Sequence, residues 1–209
     1  MGKFVILLIL LIIFIGVFAA LFIFPFLRQK YLDKELHSQM LIGLSDFKGH
    51  YSLIEHRPRT NDDIDVVAKG LGWKEGYHAV YEKIGGFVIQ NPENIYLVQD
   101  NSIYPIENIS KTIDFFKKTP NYVSNGMFDE KWNLSVIKTP DEIKGIGDDS
   151  IVYEGRLFLN GTPLHSFSAY FIKNNVFQAV TLSGDEKAIS MDEFIYYVKI
   201  INNLTLNAQ

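Results

Sequence analysis

The sequence predicts an α+β protein in which an N-terminal transmembrane helix precedes an antiparallel sheet covered on one face by helices. Three observations lead to this prediction. Residues 4–27 carry no charged side chain, as a membrane-spanning helix requires. Residues 151–182 alternate between apolar and polar positions around an Asn-Gly pair, which is typical of a hairpin. Residues 191–201 place apolar side chains at helical spacing.

Composition limits the class of protein and its domain organisation. The chain has 209 residues, no cysteine, and 20 Lys and Arg against 24 Asp and Glu, which is a net charge of −4. The lack of cysteine excludes disulfide scaffolds, thiolate metal sites and cysteine nucleophiles. The acidic balance argues against a nucleic-acid partner. We expect a transmembrane anchor at residues 1–30, a juxtamembrane stalk at 31–46 and one α+β domain at 47–209.

The apolar block at residues 4–27 is long enough to cross a bilayer, because a hydrocarbon core about 30 Å thick needs roughly 20 helical residues. The alternative is a cleaved signal peptide with its cleavage site at Val17-Phe18-Ala19. Signal sequences have apolar regions of about 7 to 15 residues, and this run continues beyond such a site. We therefore expect a single-pass protein of the cell membrane, in contact with the lipid bilayer through residues 4–27.

Two patterns disagree about which side of the membrane the domain faces. Arg28, Lys30 and Lys34 follow the apolar block while only Lys3 precedes it, and this bias favours a cytoplasmic domain. Asn-x-Ser/Thr triplets favour the other side, because they accept glycans only in a glycosylating compartment. We expect an extracytoplasmic domain, with chance occurrence of the triplets as the alternative. The candidate glycosylation acceptors are Asn108, Asn133, Asn160 and Asn203.

The first half of the domain predicts strands around one short helix. Residues 47–56 alternate in polarity as a half-buried strand does. Asn61 is placed to cap a short helix that ends at Gly70. The pair Gly85-Gly86 predicts a turn between two later strands. Further strands are predicted at residues 76–84, 87–89 and 94–98.

The second half predicts a helix, four strands and a terminal helix. Asn160-Gly161 is the preferred pair for a tight hairpin because both residues accept positive φ, and Asn174-Asn175 predicts the next turn. Ser190 and Glu193 have the spacing of a capping box at the start of the last helix. The elements are a helix at residues 108–118, strands at 132–137, 151–159, 164–172 and 176–182, and the helix that Ser190 begins.

Three short motifs carry a resemblance to known proteins. They are Leu71-Gly-Trp-Lys-Glu-Gly-Tyr77, Tyr104-Pro-Ile-Glu-Asn108 and Ile146-Gly-Asp-Asp-Ser150. With them the chain resembles membrane-anchored or secreted archaeal proteins of unassigned role, and its outline is similar to α+β domains of the PsbP and Mog1 type. The resemblance covers residues 44–202 and implies that fold and an extracytoplasmic placement. It implies no chemistry, and nothing in the sequence indicates the photosystem partner of PsbP proteins.

The sequence does not indicate a catalytic or metal site. The Gly-x-Ser-x-Gly motif of serine hydrolases is absent, and Ser183-Gly184-Asp185 has only the character of a turn. The histidines lack the pair spacing of a zinc site, although His50, His56 and His78 lie on neighbouring predicted strands. We expect no metal and no cofactor. The full set of histidines is His37, His50, His56, His78 and His165.

Two acidic loops are interpreted as caps for backbone N–H groups. The run Asn61-Asp-Asp-Ile-Asp65 lacks the glycine and the glutamate that an EF-hand calcium loop needs. The run Gly145-Ile-Gly-Asp-Asp149 lacks the lysine and the strand-to-helix context of a phosphate loop. We expect Asp148 or Asp149 to cap backbone groups at a bend that the glycines permit.

Aromatic residues supply the candidate binding surface. Trp73 and Tyr77 lie among Gly70, Gly72 and Gly76, and a glycine-rich loop predicts rings presented to a partner. We expect a non-catalytic domain that binds an unknown protein or small ligand, or supports an envelope assembly. The alternative is a membrane-anchored hydrolase built from scattered His, Asp and Glu. Further aromatics that either line a groove or pack the core are Tyr81, Tyr153, Phe158, Phe167 and Tyr170.

Overall fold

The computed structural model of the chain describes residues 38–64, 66–83, 95–118, 132–136, 145–159 and 162–208. All of them except Ser38 belong to one compact unit, Gln39–Gln209. None of the helices in this described part is long and apolar enough to cross a membrane. The predicted anchor, the Gly85-Gly86 turn with the strand after it, and the Asn160-Gly161 turn lie outside the described residues.

The described part of the chain contains seven strands that form a single sheet, and every neighbouring pair is antiparallel. They are β1 (Tyr51–Pro58), β2 (Glu75–Lys83), β3 (Tyr96–Ile103), β4 (Trp132–Val136), β5 (Asp149–Leu159), β6 (Thr162–Lys173) and β7 (Val176–Gly184). Their order across the sheet is β1-β2-β3-β7-β6-β5-β4. The predicted meander is therefore present as β5, β6 and β7, and Leu159 pairs with Thr162 on either side of the predicted Asn160-Gly161 turn.

In the described ranges three α-helices accompany the sheet, namely α1 (Val66–Gly70), α2 (Ile109–Lys118) and α3 (Met191–Asn207). The predicted cap of the last helix is confirmed, because Ser190 Oγ accepts a hydrogen bond from Glu193 N at 3.2 Å. The predicted Asn61 cap is wrong. Residues Asn61–Asp63 form a separate 3₁₀ turn before α1, and its cap is Thr60, whose backbone N–H and hydroxyl both donate to the Asp63 carboxylate at 2.6 and 2.9 Å.

Helices cover both faces of the sheet, so the predicted one-sided cover is wrong. All nine residues of β7 are buried, whereas a strand with one solvated face alternates between buried and exposed positions. Along β6 the buried apolar side chains divide between two clusters on opposite faces. Phe167, Ala169 and Phe171 pack with α3, and Leu164, Tyr170 and Ile172 pack with α2.

The folded unit begins before residue 47, inside the predicted stalk. Met40 and Ile42 are fully buried. The Gln99 side chain on β3 donates from Nε2 to Met40 O at 2.8 Å, and its Oε1 accepts from Ile42 N at 3.1 Å. Tyr81 also donates its hydroxyl to Ile42 O at 2.8 Å. Residues 39–46 are therefore part of the α+β unit, because buried side chains satisfy their backbone groups.

This connection continues through the core as a chain of buried amides. Gln99 Nε2 lies 3.3 Å from Gln178 Oε1, on the neighbouring strand β7. Gln178 Nε2 donates to Thr205 Oγ1 at 2.9 Å, and that hydroxyl donates to Ile201 O at 2.8 Å. A satisfied polar network in a core rigidifies its surroundings. The segment at residues 40–42 is thus linked to β3, β7 and α3.

Candidate functional site

Charged side chains gather on the sheet face that α2 covers, at the end formed by β1, β2 and β3. In the strand register Arg57 opposes His78, and His78 opposes Asp100. Directly opposed residues of antiparallel strands share a face. Asp100 in turn opposes Ala179 of β7, which packs in the cluster around α2. The three charged residues therefore form one row on that face.

Asp100 is the buried anion of this charged cluster. It is only 7% exposed, and its Oδ1 lies 2.8 Å from His78 Nδ1 and 3.7 Å from Arg59 Nε. Burial by itself raises the pKa of a carboxyl group, but the charge of Arg59 and the hydrogen bond and charge of His78 hold the pKa of Asp100 below its usual range. Asp100 is therefore an ionised side chain whose charge is compensated within the fold.

His78 lies between two carboxylates. Its Nε2 is 4.0 Å from Glu55 Oε2 on β1, while its Nδ1 contacts Asp100 on β3. Burial lowers the pKa of the imidazole, but the hydrogen bond and charge of Asp100 and the charge of Glu55 outweigh burial, so that the pKa of His78 is raised. The site favours the imidazolium form.

Two arginines surround the turn after β1. Arg57 bonds Glu55 Oε1 through Nε at 2.7 Å and Asp63 Oδ2 through Nη1 at 2.8 Å. Arg59 donates to Ser102 Oγ at 3.0 Å and to the Asp63 carbonyl at 3.2 Å. Although burial opposes it, the contacts with Arg57 and Thr60 hold the pKa of Asp63 well below its usual range. Within this acidic run Asp63 thus positions both arginines and caps a turn.

The predicted binding residues do not form an exposed surface. Tyr77 is only 6% exposed, and its ring lies 5.2 Å from that of His56. Trp73 is half-buried against the α2 cluster and donates from Nε1 to Ser102 Oγ at 3.2 Å. Tyr77 belongs to β2, which begins at Glu75, so the predicted strand at residues 76–84 is present and Tyr77 does not lie in a loop. Gly76 permits close strand packing, since a Cβ there would lie 2.3 Å from Asn101 O.

The other aromatics of the candidate groove are core residues. Phe116 of α2 stacks on the Tyr170 ring with a centroid separation of 5.0 Å. On the opposite face Phe167 stacks on Phe194 of α3 at 5.9 Å. Core packing therefore accounts for these rings, and the side chain of Phe158 lies outside the described residues. The buried members of the predicted set are Tyr81, Tyr153, Phe167 and Tyr170.

The histidines do not converge. His56 opposes Ala79, whereas His78 opposes the next residue of β1, so the two imidazoles lie on opposite faces. His50 is exposed, His165 Nε2 lies 3.4 Å from Glu154 Oε1, and His37 is outside the described residues. Within the described ranges no three His, Asp or Glu side chains are grouped to hold a metal ion.

The bend at residues 145–149 caps backbone groups, as the sequence predicts. Asp148 accepts from Asn174 N at 2.8 Å and from Lys173 Nζ at 2.6 Å. Asp149 accepts from Ser150 N at 2.8 Å and from Lys117. Gly147 has φ +64°, and a Cβ there would lie 2.3 Å from Ile172 O. The glycine is required by this close approach.

The candidate glycosylation acceptors differ in accessibility. Asn108 is half-buried, and its Nδ2, the atom that a glycan would modify, donates to Leu71 O at 3.1 Å. Asn203 is exposed on α3. The side chains of Asn133 and Asn160 lie outside the described residues. Asn203 is thus the acceptor whose side chain is most accessible among those described.

Sequence reasoning missed Glu55, Arg59, Asp100 and Ser102. One signal was present, because the polar run Gln99-Asp-Asn-Ser102 is followed directly by the apolar pair Ile103-Tyr104. We expected the strand to end at residue 98, but it continues to Ile103 with the polar run buried. Polar residues flanked by apolar strand positions indicate a buried polar network.

Comparison with known proteins identifies a fold. No protein-family model matches this sequence, and no curated protein matches it. The extracellular domain of PknH from Mycobacterium tuberculosis is similar in structure, with a TM-score of 0.56 and 12% identity over 82% of this chain and 96% of that one. PsbP from the cyanobacterium Synechocystis sp. PCC 6803 has a TM-score of 0.30 and 15% identity over 75% and 92%. The first likeness shows a shared α+β fold.

Proposed function

We propose that the chain is a single-pass membrane protein presenting a non-catalytic, extracytoplasmic α+β domain that binds a protein or small ligand or supports an envelope assembly. The charge-free residues 4–27 support the anchor. The similar fold of a PknH domain described as extracellular supports the placement. The neighbours named above are not archaeal, and the archaeal part of the resemblance stays a prediction.

The observation that best supports a non-catalytic domain is the position of His78 between Glu55 and Asp100. A hydrolase of the Ser-His-Asp type needs a neutral imidazole with one nitrogen free to take the proton of a nucleophile. Two carboxylates stabilise the imidazolium, which has no lone pair to accept that proton. The nearby hydroxyl of Ser102 accepts from Arg59 and Trp73. This arrangement supports a binding role over the hydrolase alternative.

We place the contact surface on edge strand β1. The side chains of Glu55 and Arg57 are 45% and 42% exposed, whereas Asp100 and Arg59 behind them are largely buried. The inner pair positions the outer pair, and charged residues at this exposure make specific polar contacts with a partner. A photo-crosslinking residue at position 57 should give adducts in intact cells that one at Asn203 does not give. Equal labelling at both positions contradicts this surface.

The anchor and the orientation are tested separately. Alkaline carbonate extraction should leave the full chain in the membrane pellet, and protease added to right-side-out vesicles should digest the domain. A mature form that begins near Ala20 would replace the anchor with a signal peptide. Protection until the membrane is opened would instead support the charge bias of Arg28, Lys30 and Lys34.

The absence of catalysis is tested with the purified full chain. We expect no turnover of ester or peptide substrates above that of the His78→Gln variant. Turnover that the wild type has and His78→Gln lacks would favour the membrane-anchored hydrolase.

A further inference from the structure

Three neighbouring strands each contribute one ionisable group to a single contact. His78 of β2 lies between Glu55 of β1 and Asp100 of β3. Among the described strands β1 lies at an edge of the sheet, and its neighbour is β2. The pairing register shifts between Leu53 and Glu55, so the backbone ladder is irregular beside the glutamate. Backbone pairing on one side holds β1 to β2, and the side-chain contacts of Glu55 and Arg59 with His78 and Asp100 add to it.

We propose that His78 is a proton-operated clasp, which holds the edge strand β1 on the sheet when the imidazole is protonated and loosens it when the proton is lost. The proposal rests on the described side chains alone and does not depend on the anchor, the orientation or the binding role. Its ligand is the proton, and the element that it controls is the strand that carries Glu55 and Arg57.

The charges around His78 explain why protonation acts on β1. Asp100 faces it from β3, Glu55 and Arg57 face it from β1, and Arg59 binds Asp100 from the segment after β1. An imidazolium attracts both carboxylates. A neutral imidazole has one N–H group, which remains on Asp100 because that oxygen is only 2.8 Å away. Loss of the proton thus removes the attraction to Glu55 and keeps the contact with β3.

The direction of the effect follows from the contact between His78 Nε2 and Glu55 Oε2 of β1, whose charge is one cause of the raised pKa of His78. Burial opposes this rise, but Asp100 and Glu55 outweigh burial. A group whose pKa is raised by folding contributes stability that is fully present below its unfolded pKa of about 6.5 and is lost as pH rises through the folded pKa. When β1 loosens, Asp100 still contacts His78, and the charges that move away are those of Glu55 and Arg57. The attraction of Glu55 for the protonated imidazole therefore holds β1 most firmly in acidic surroundings. The opening equilibrium changes about tenfold for each unit of pKa difference.

The test is hydrogen–deuterium exchange of the full chain in detergent micelles across a pH series, with rates corrected for the pH dependence of intrinsic exchange. Protection of peptides that cover β1 should fall as pH rises above about 6.5, while protection of β7 stays constant. His78→Gln should remove the pH dependence at β1. His165→Gln is the matched control, because it removes another histidine beside a carboxylate, Glu154, in a different part of the sheet.

Several outcomes overturn the clasp. They are β1 protection that does not change with pH in the wild type, a pH dependence that survives in His78→Gln, and a pH dependence that is lost in His165→Gln. If His78→Gln does not fold, Glu55→Gln provides the test, because Glu55 is exposed and its loss leaves the Asp100 contact in place. Glu55→Gln should flatten the pH dependence, and an unchanged pH profile contradicts the proposal.

Discussion

Strands β5 to β7 and strands β1 to β3 bury different chemistry on the same face of the sheet. Under α2 the first group packs aromatic rings, with Phe116 stacked on both Tyr170 and Phe177 at 5.0 Å. On the same face the second group buries Asp100 with Arg59 and His78. Apolar packing loses stability in proportion to the volume removed. A buried charge cluster loses stability when one member is neutralised, because the remaining charges are then buried without a partner.

The difference implies that the two regions respond to different perturbations. The aromatic region contains few groups that titrate near neutral pH, and burial raises the pKa of Tyr153 to about 12. The charged region contains a histidine, whose ordinary pKa is close to neutral and is raised here by Asp100 and Glu55 against the effect of burial. Substitutions that remove packed side chains should therefore affect β5 to β7 most strongly, and substitutions that remove charges should affect β1 to β3.

The largest effect is expected at the centre of the α3 core. Phe194 is fully buried and stacks on Phe167, so Phe194→Ala should lower the free energy of unfolding by about 4 kcal/mol through the cavity that it leaves. Urea denaturation followed by circular dichroism measures this. Tyr196→Ala removes an exposed ring two residues away and should cost less than about 1 kcal/mol. Equal costs would contradict the packing of α3 on the sheet.

Removal of the buried anion should have the next largest effect. Asp100→Asn preserves the size of the side chain but leaves Arg59 and His78 without their carboxylate, which should cost about 3 kcal/mol. Asp149→Asn is the control, because Asp149 belongs to a more exposed pair with Lys117 and should cost less than about 1 kcal/mol. The same denaturation experiment compares them. A neutral Asp100→Asn variant would show that the charged cluster is not a stability determinant.

Truncation of Trp73 should have an intermediate effect. The ring is half-buried against the α2 cluster and bonded to Ser102, so Trp73→Ala should cost about 2 kcal/mol, less than a fully buried tryptophan. Thermal melts of Trp73→Ala and of Val66→Ala, whose side chain is exposed nearby in sequence, provide the comparison. If both variants melt like the wild type, the exposed binding ring expected from the sequence would be reinstated.

The smallest predicted effect concerns the start of α3. Ser190→Ala removes the hydrogen bond from Glu193 N and should cost about 1 kcal/mol. Ser190→Asp keeps an acceptor at this position and should stay close to the wild type. Chemical denaturation of the two variants measures the difference. A Ser190→Asp variant as unstable as Ser190→Ala would mean that the cap does not contribute in the expected way.

Local signals explain which parts of the fold were predictable. The Ser190 cap depends on residues three positions apart, and the β6–β7 hairpin turns at Asn174, which has the positive φ that its type tolerates. The sequence analysis missed that helices pack on both faces of the sheet. The order of helices along the chain does not indicate which face each helix packs against. Because both faces are covered, β7 is buried along its whole length.

The charged cluster was not predictable because its members are brought together by strand register. Glu55, His78 and Asp100 lie on three strands, and a shift of one residue would turn a side chain to the opposite face. The same limit explains the error at Tyr77. Gly76 was counted among the glycines of a loop that presents the rings, whereas it allows Asn101 O to approach closely, which only the paired strands reveal.

The amide chain from Met40 to Thr205 determines how the domain bears mechanical load. A pull on the chain at Gln39 reaches Gln99 on β3 first, because Gln99 holds the backbone on both sides of Leu41. From Gln99 the hydrogen bonds of Gln178 and Thr205 connect this force to β7 and α3. We expect the tension to be shared between an inner strand and the long helix, so that several hydrogen bonds would stretch together. A tether fixed to β1 would instead peel the edge strand away one bond at a time.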